Sequence, residues 1–287
     1  MHDDIDIPEA RAGNVELVVV PLDGSDGADA AVPVARVVAE RLGASLTLVT
    51  VVEPGDDEAP SASHLRAVAA ETGATWRLLE GRDVAAVLRG AAGGLPDRLV
   101  CMASHGRGRS AALLGSVASA VAAGARGPLL VVGPNTSPHH PLAGDVVACV
   151  DGSAASERIL PVAADWAAAL GLGLEIVTVA EPVPQTDTPG APYHRSHGPS
   201  VVAEDYLDEL AAPLREGGVV VGTTAIYDPV SVVGGLADRF EGRPPALIAT
   251  MTHARTGFAR LAHGSVAAGI VHELPAPVLL VPGMRDA

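Results

Sequence analysis

The sequence predicts an α/β protein of two tandem domains, each a mainly parallel five-stranded sheet with helices on both faces. Three observations predict it. Short Val- and Leu-rich runs of strand length alternate with stretches of helical periodicity, the pattern of right-handed βαβ units. An Asp-Gly-Ser turn closes one apolar run at Asp23-Gly24-Ser25 and another at Asp151-Gly152-Ser153. Two further apolar runs, the first ending near His105 and the second near His253, each lead through a loop to Gly-Ser and a Val/Ala-rich helix. The chain is a tandem repeat.

Taken in order, residues 1–14 are acidic and polar and read as a loose tail. The first domain follows over 15–134. Residues 17–22 form a buried strand that ends at Asp23. Helical spacing over 28–42 runs through Ala31, Val34, Ala35, Val38 and Leu42 and stops at Gly43. Pro33 falls in its first turns, where proline is tolerated. A second strand over 46–52 is closed by Glu53-Pro54-Gly55, and an Asp-rich loop precedes a helix over 63–71. The third strand covers 75–79, and Gly81-Arg82-Asp83 opens a helix over 84–92. The fourth strand covers 99–102. After the glycine loop and a helix, Gly127-Pro128 breaks the pattern and 129–132 forms a fifth strand.

Residues 135–144 are rich in proline and turn formers and read as a linker, with His139 and His140 solvated. The plan restarts over 145–283, where 146–150 repeats the first strand and 174–179 the second. Asp151 stands 128 residues after Asp23, whereas Gly264 stands 149 after Gly115. The second copy therefore carries a net insertion, placed at about 182–202 in a Pro-rich stretch. The last strand covers 278–281.

Composition removes several classes of function. The net charge of −15 repels nucleic acid, and no basic stripe offsets it. All 19 basic residues are arginine. Without lysine there is no Walker-type P-loop and no Schiff-base chemistry. No apolar run reaches the length of about 18 residues that a membrane helix needs. The acidic N-terminus does not resemble a secretory signal, so a cytoplasmic protein is expected. Cys101 and Cys149 lie in apolar runs and read as reduced core thiols. His194 and His197 lack a third nearby ligand, so no metal site is expected there.

The stretch from Ala103 to Val117 has the makings of an anion site. Gly106 and Gly108 allow a tight loop with converging N–H groups. Arg107 and Arg109 can add charge-assisted bonds to phosphate oxygens. Gly115 allows close approach, and Ser116 is placed to cap the helix whose positive end faces the ligand. In a parallel sheet Pro21-Leu22-Asp23, Val51, Gly81 and this loop all fall at strand carboxyl ends, where such folds bind ligands. Two roles fit Asp23 and Asp151: an ordinary Asp-Gly turn, or a hydrogen-bond acceptor for a ligand. His105 fits a loop-stabilising hydrogen bond better than a ligand contact.

With Asp23-Gly24-Ser25 after the first strand, Ser104-His105-Gly106-Arg107 after the fourth and Leu113-Leu114-Gly115-Ser116-Val117 opening the last helix, the sequence resembles the universal stress protein family. Two copies over nearly the whole chain look like its tandem members. The resemblance implies a Rossmann-like fold of the adenine nucleotide α-hydrolase-like kind. It also implies an ATP site marked by Gly-x-x-Gly, nine residues, and Gly-Ser or Gly-Thr. By that likeness Asp23 faces the ribose or adenine, Val51 lines the adenine pocket, and Gly106, Gly115 and Ser116 hold phosphates. Pro21, Gly24, Ser25, Ala103, His105, Arg107, Gly108 and Val117 complete the first set. Asp151, Gly152, Val179, Gly264, Ser265 and Val266 form the second.

Both copies depart from the motif. Ala103 replaces the first glycine, and only eight residues separate Gly106 from Gly115. In the second copy the nine-residue spacing holds, but Met251 and Ala254 replace both early glycines. Met251 is expected to put a long side chain where backbone approach is needed, so the first site should bind better. The expected ligand is ATP, with Mg²⁺ as companion of the triphosphate. The expected role is a sensor or regulatory module of the stress response, with at most slow hydrolysis. An interaction scaffold with decayed sites is the alternative. The family pairs through its final strands, here 129–132 and 278–281. That pairing is expected inside the chain, with a homodimer through another face as a further option, and neither nucleic acid nor membrane as partner.

Overall fold

A computed structural model describes residues 11–92, 97–106, 114–180, 199–228, 230–252 and 266–283. The first repeat contributes strands β1 (Leu17–Pro21), β2 (Ser45–Val52), β3 (Thr75–Glu80), β4 (Arg98–Ala103) and β5 (Leu129–Val132). The second contributes β6 (Asp145–Val150), β7 (Gly173–Ala180), β8 (Val221–Tyr227), β9 (Leu247–Thr252) and β10 (Val278–Pro282). All join one sheet in the order β3-β2-β1-β4-β5-β10-β9-β6-β7-β8. Each repeat is parallel throughout. The seam between β5 and β10 is antiparallel, with Leu130 opposite Leu279. The internal pairing of the last strands is thus present.

The helices of the first repeat are α1 (Asp26–Asp29), α2 (Ala31–Leu42), α3 (Ala59–Thr72), α4 (Val84–Ala92) and α5 (Ser116–Gly124). Those of the second are α6 (Ala154–Glu157), α7 (Ile159–Leu170), α8 (Pro199–Glu216), α9 (Val232–Phe240) and α10 (Val266–Glu273). Alternation along each strand sends side chains to opposite faces. Val18 and Val20 belong to the core that also takes residues of α2, α3, α7 and α8, and Val19 to the core on the other face with α4, α5, α9 and α10. Each core draws residues from both repeats. With so few aromatics available, both cores are filled mainly by Val, Leu, Ile and Ala, and Trp166 and Phe240 are their fully buried aromatics.

Several expectations change in detail. The single helix read over 28–42 is two, α1 and α2, meeting at Ala30. Pro33 has no N–H for the carbonyl four residues back, so α1 stops and a new helix starts. Pro161 stands at the same place in α7 and produces the same break after α6. Helix α3 begins earlier than read, at Ala59, with Pro60 in its first turn. Helices α2 and α7 end as their glycines predict: Gly43 and Gly171 take left-handed conformations, φ +66° and +67°. Most of the proposed insertion lies outside the described residues, but its last part opens α8.

The linker is not solvated at His140. That residue is 3% exposed, and its Nε2–H donates to the Ala246 carbonyl at 3.0 Å. Desolvation lowers its pKa from the ordinary 6.5. Other contacts cross the seam. Arg41 donates to the carbonyls of Leu170 (3.2 Å) and Pro141 (3.4 Å), and Ala12 N–H donates to Asp165. Cys101 and Cys149 are free thiols. Burial raises the Cys101 pKa, and burial with the nearby Glu175 carboxylate pushes Cys149 up to about 12.

Candidate functional site

β1 lies between β2 and β4, so the chain reverses its direction of winding there. A crevice at such a switch point is where doubly wound sheets hold ligands. Three pieces of the first repeat meet at this place: the turn after β1, the loop after β4, and the start of α5.

The turn is self-contained. Asp23 Oδ1 accepts hydrogen bonds from Ser25 N (3.0 Å) and Ser25 Oγ (2.5 Å). Ser25 Oγ in turn accepts from Ala28 N and caps α1. Gly24 sits at φ +79°, which favours glycine. The second repeat reproduces the turn. Asp151 Oδ1 accepts from Ser153 N (3.0 Å) and Oγ (2.6 Å), Ser153 caps α6, and Gly152 has φ +80°. In both aspartates Oδ1 thus holds the turn; Asp23 is half-buried, whereas Asp151 is exposed.

Beyond β4, Ser104 N–H continues the ladder to the Val132 carbonyl, and Gly115 N–H closes the loop onto the Ser104 carbonyl, both at 2.8 Å. Ser104 Oγ and His105 Nδ1 share a hydrogen bond of 3.1 Å, the loop-stabilising role. A methyl group at Gly115 would stand 3.0 Å from that carbonyl and 3.8 Å from His105 Cδ2, so Gly115 is needed for closeness. Its φ of −62° and ψ of 160° make it the N-cap of α5. Ser116 is therefore the first helical residue and not the cap. The chain enters the helix one residue earlier because the Gly115 amide is already tied to Ser104. Beyond it, the first-turn amides have no intrahelical acceptor.

The turn and the loop touch. A Cβ at Gly106 would collide with the Asp23 carboxylate, and one at Gly27 would lie 3.2 Å from the carbonyl oxygens of both His105 and Gly106. The second copy has Ala155 and Ala254 at the corresponding positions. Val51 and Val179, near the ends of β2 and β7, are half-buried against the same face as α4 and α9. Pro21 ends β1 opposite Val49. Ala103 ends β4 in the core, and Val117 and Val266 are exposed in the first turns of α5 and α10. Arg107, Gly108, Gly264 and Ser265 lie outside the described residues, as do Arg109, His253 and Ala254.

The expectation for Met251 is corrected. It lies within β9, 7% exposed, and packs in the core with Ala249 and Val281. Strand alternation turns its side chain to the same sheet face as that of Ala249.

Sequence reasoning missed Gly27, whose signal is a small residue two after the turn. It also missed two residues that approach from across the seam. Asn135 Nδ2 donates to the carbonyls of His272 (3.2 Å) and Glu273 (3.0 Å), and the His105 and His272 ring centroids are 6.4 Å apart. The short helices α1 and α6 are tied to their covering helices by different pairs. His64 Nε2 meets Asp29 Oδ1 at 3.0 Å, whereas Tyr206 donates to Glu157 Oε1 at 3.0 Å. Burial and that carboxylate raise the Tyr206 pKa. Among the described residues no three His, Cys, Asp or Glu side chains cluster as metal ligands, and no helix is long and apolar enough to cross a membrane.

Two doubly wound α/β units, each with an Asp-Gly-Ser turn at its switch point, define a tandem Rossmann-like protein. The chain belongs to the universal stress protein family, whose model matches residues 15–80 and 144–282. The match in the first repeat ends before the β4 loop. A universal stress protein from Archaeoglobus fulgidus aligns over 96% of this chain and 99% of its own, at TM-score 0.65 and 14% identity. A putative universal stress protein from Pseudomonas aeruginosa aligns over 95% of each chain at TM-score 0.61 and 16% identity. A universal stress protein solved in complex with cAMP aligns over 41% of this chain and 96% of its own, at TM-score 0.36 and 28% identity. No curated protein matches the chain.

Proposed function

We propose that the chain binds an adenine nucleotide, ATP with its Mg²⁺, at the carboxyl ends of β1, β2 and β4, and works as a nucleotide-responsive regulatory module of the stress response. The observation that carries this reading is the meeting of the Asp23-Gly24-Ser25 turn, the Ser104–Gly106 loop and the Gly115-capped start of α5 at the switch point. The donor set suits a phosphate chain. Orphan first-turn amides and the positive helix end attract anions without a lysine. They must act locally, because the molecule as a whole carries −15. Val51 and Pro21 offer apolar surface to the base, and Asp23 lies where a ribose or adenine donor would arrive. In this reading nucleotide is held and released, with at most slow cleavage.

The first copy is the better site in this reading. Gly27 and Gly106 let its turn and loop meet, whereas the second copy has Ala155 and Ala254 at these positions of its sequence. Calorimetric titration of nucleotide-stripped protein with ATP tests the reading. One strong site per chain is expected, lost in Gly115→Val and kept in Gly264→Val. Two equal sites would remove the asymmetry. No heat at millimolar ATP would sink nucleotide binding and leave an interaction scaffold, the reading that the shortened Gly106–Gly115 spacing favours.

A further inference from the structure

The antiparallel seam reverses the second repeat relative to the first. A crossover helix runs back against its own strands, so α10 starts at the second repeat's site and ends beside the carboxyl ends of β4 and β5, at the first. Its last turn, besides packing in its own repeat, reaches the end of the first repeat and the segment that follows it. A Cβ at Gly133 would strike the Val271 carbonyl, Asn135 Nδ2 donates to the His272 and Glu273 carbonyls, and the His272 ring faces His105 at 6.4 Å with a 59° tilt. The His105 ring in turn lies over Gly115 at the start of α5.

A helix C-terminus carries partial negative charge and would oppose a phosphate close by. Here the His272 and Glu273 carbonyls accept from the Asn135 amide. His272 Nδ1 is shielded from solvent and has no hydrogen-bond partner among the described residues. Such a state is costly, and an arriving partner relieves it.

We propose that the first-copy site is shared across the seam: His272 of the second repeat holds His105 in place and meets the phosphates of the bound nucleotide. This rests on the nucleotide reading above. The sharing is one-way, because Ala123 occupies the position in α5 that His272 occupies in α10.

The test titrates the full chain and its His272→Ala and His272→Gln variants, in a Gly264→Val background that isolates the first site. The three ligands are ATP, adenosine and tripolyphosphate, and thermal melts without ligand check folding. His272→Ala should weaken ATP and tripolyphosphate by about tenfold, the scale of one hydrogen bond to a charged group. Adenosine affinity should be unchanged, and His272→Gln should recover part of the loss. Equal losses for ATP and adenosine, or no loss at all, would show that His272 only packs there and overturn the proposal. Should the chain bind no nucleotide, the earlier reading falls by itself and the tripolyphosphate series decides. Binding that His272→Ala weakens keeps a seam-built anion site, and absence of binding removes it.

Discussion

His140 carries a pH dependence that its place in a proline-rich linker does not suggest. The imidazole is buried and its pKa is lowered by desolvation, while the unfolded chain keeps the ordinary 6.5. As pH falls below that value the unfolded state takes up a proton that the folded state refuses. Stability therefore declines towards the lowered folded pKa, by at most about 1.4 kcal/mol per pH unit. Urea unfolding at pH 7.5 and 5.5 should show a smaller acid loss in His140→Asn than in the wild type, and identical losses would remove this role. At the same scale, Gly27, Gly106 and Gly115 are small because carbonyl oxygens or a carboxylate stand where a Cβ would go, and only Gly24 is explained by its own φ. A positive-φ glycine in an Asp-Gly turn is readable from sequence. A glycine kept small by a distant carbonyl is not.

Helix α10 shows the same division between elements. Its apolar residues and the following Pro275 and Pro277 announce a short helix before a strand. Its C-terminal cap, however, comes from Asn135, more than 130 residues earlier. Asn135→Ala removes two hydrogen bonds that satisfy the last carbonyls and should cost about 1 kcal/mol, measured as a lowered urea midpoint with an unchanged slope. A change below a few tenths would mean that water replaces the amide without loss. Elsewhere, Pro33 was visible as an early-helix proline, but the break that it and Pro161 cause was not, because it also needs Ser25 and Ser153 to cap α1 and α6. Apart from β8, which was not read, and β9, which runs past the apolar residues 246–249, the Val- and Leu-rich strands were read to within a residue or two, since continuous apolar runs leave little choice in a sheet covered on both faces.

At the scale of the whole molecule, both cores cross the seam, and α2 packs on α7 while β5 pairs with β10. The two repeats are therefore packed into shared cores, and the chain should unfold in one cooperative step. The two tryptophans report separately: Trp76 lies in β3 at one edge of the sheet, and Trp166 in α7 beside the seam. The single-tryptophan variants Trp76→Phe and Trp166→Phe should give coincident fluorescence transitions in urea, and two separated midpoints would show independent repeats. The strands through which the family pairs are consumed within the chain, leaving β3 and β8 as the edges of the sheet.

The sequence by itself determined the repeat, the alternation of strands and helices, the paired Asp-Gly-Ser turns and the glycine before α5. Each of these rests on neighbours within a few residues, where periodicity and backbone preference act. Only the tertiary structure decided that β5 and β10 run antiparallel, since a short apolar strand reads the same in either direction. That choice alone brings Asn135 to the end of α10 and His272 to His105.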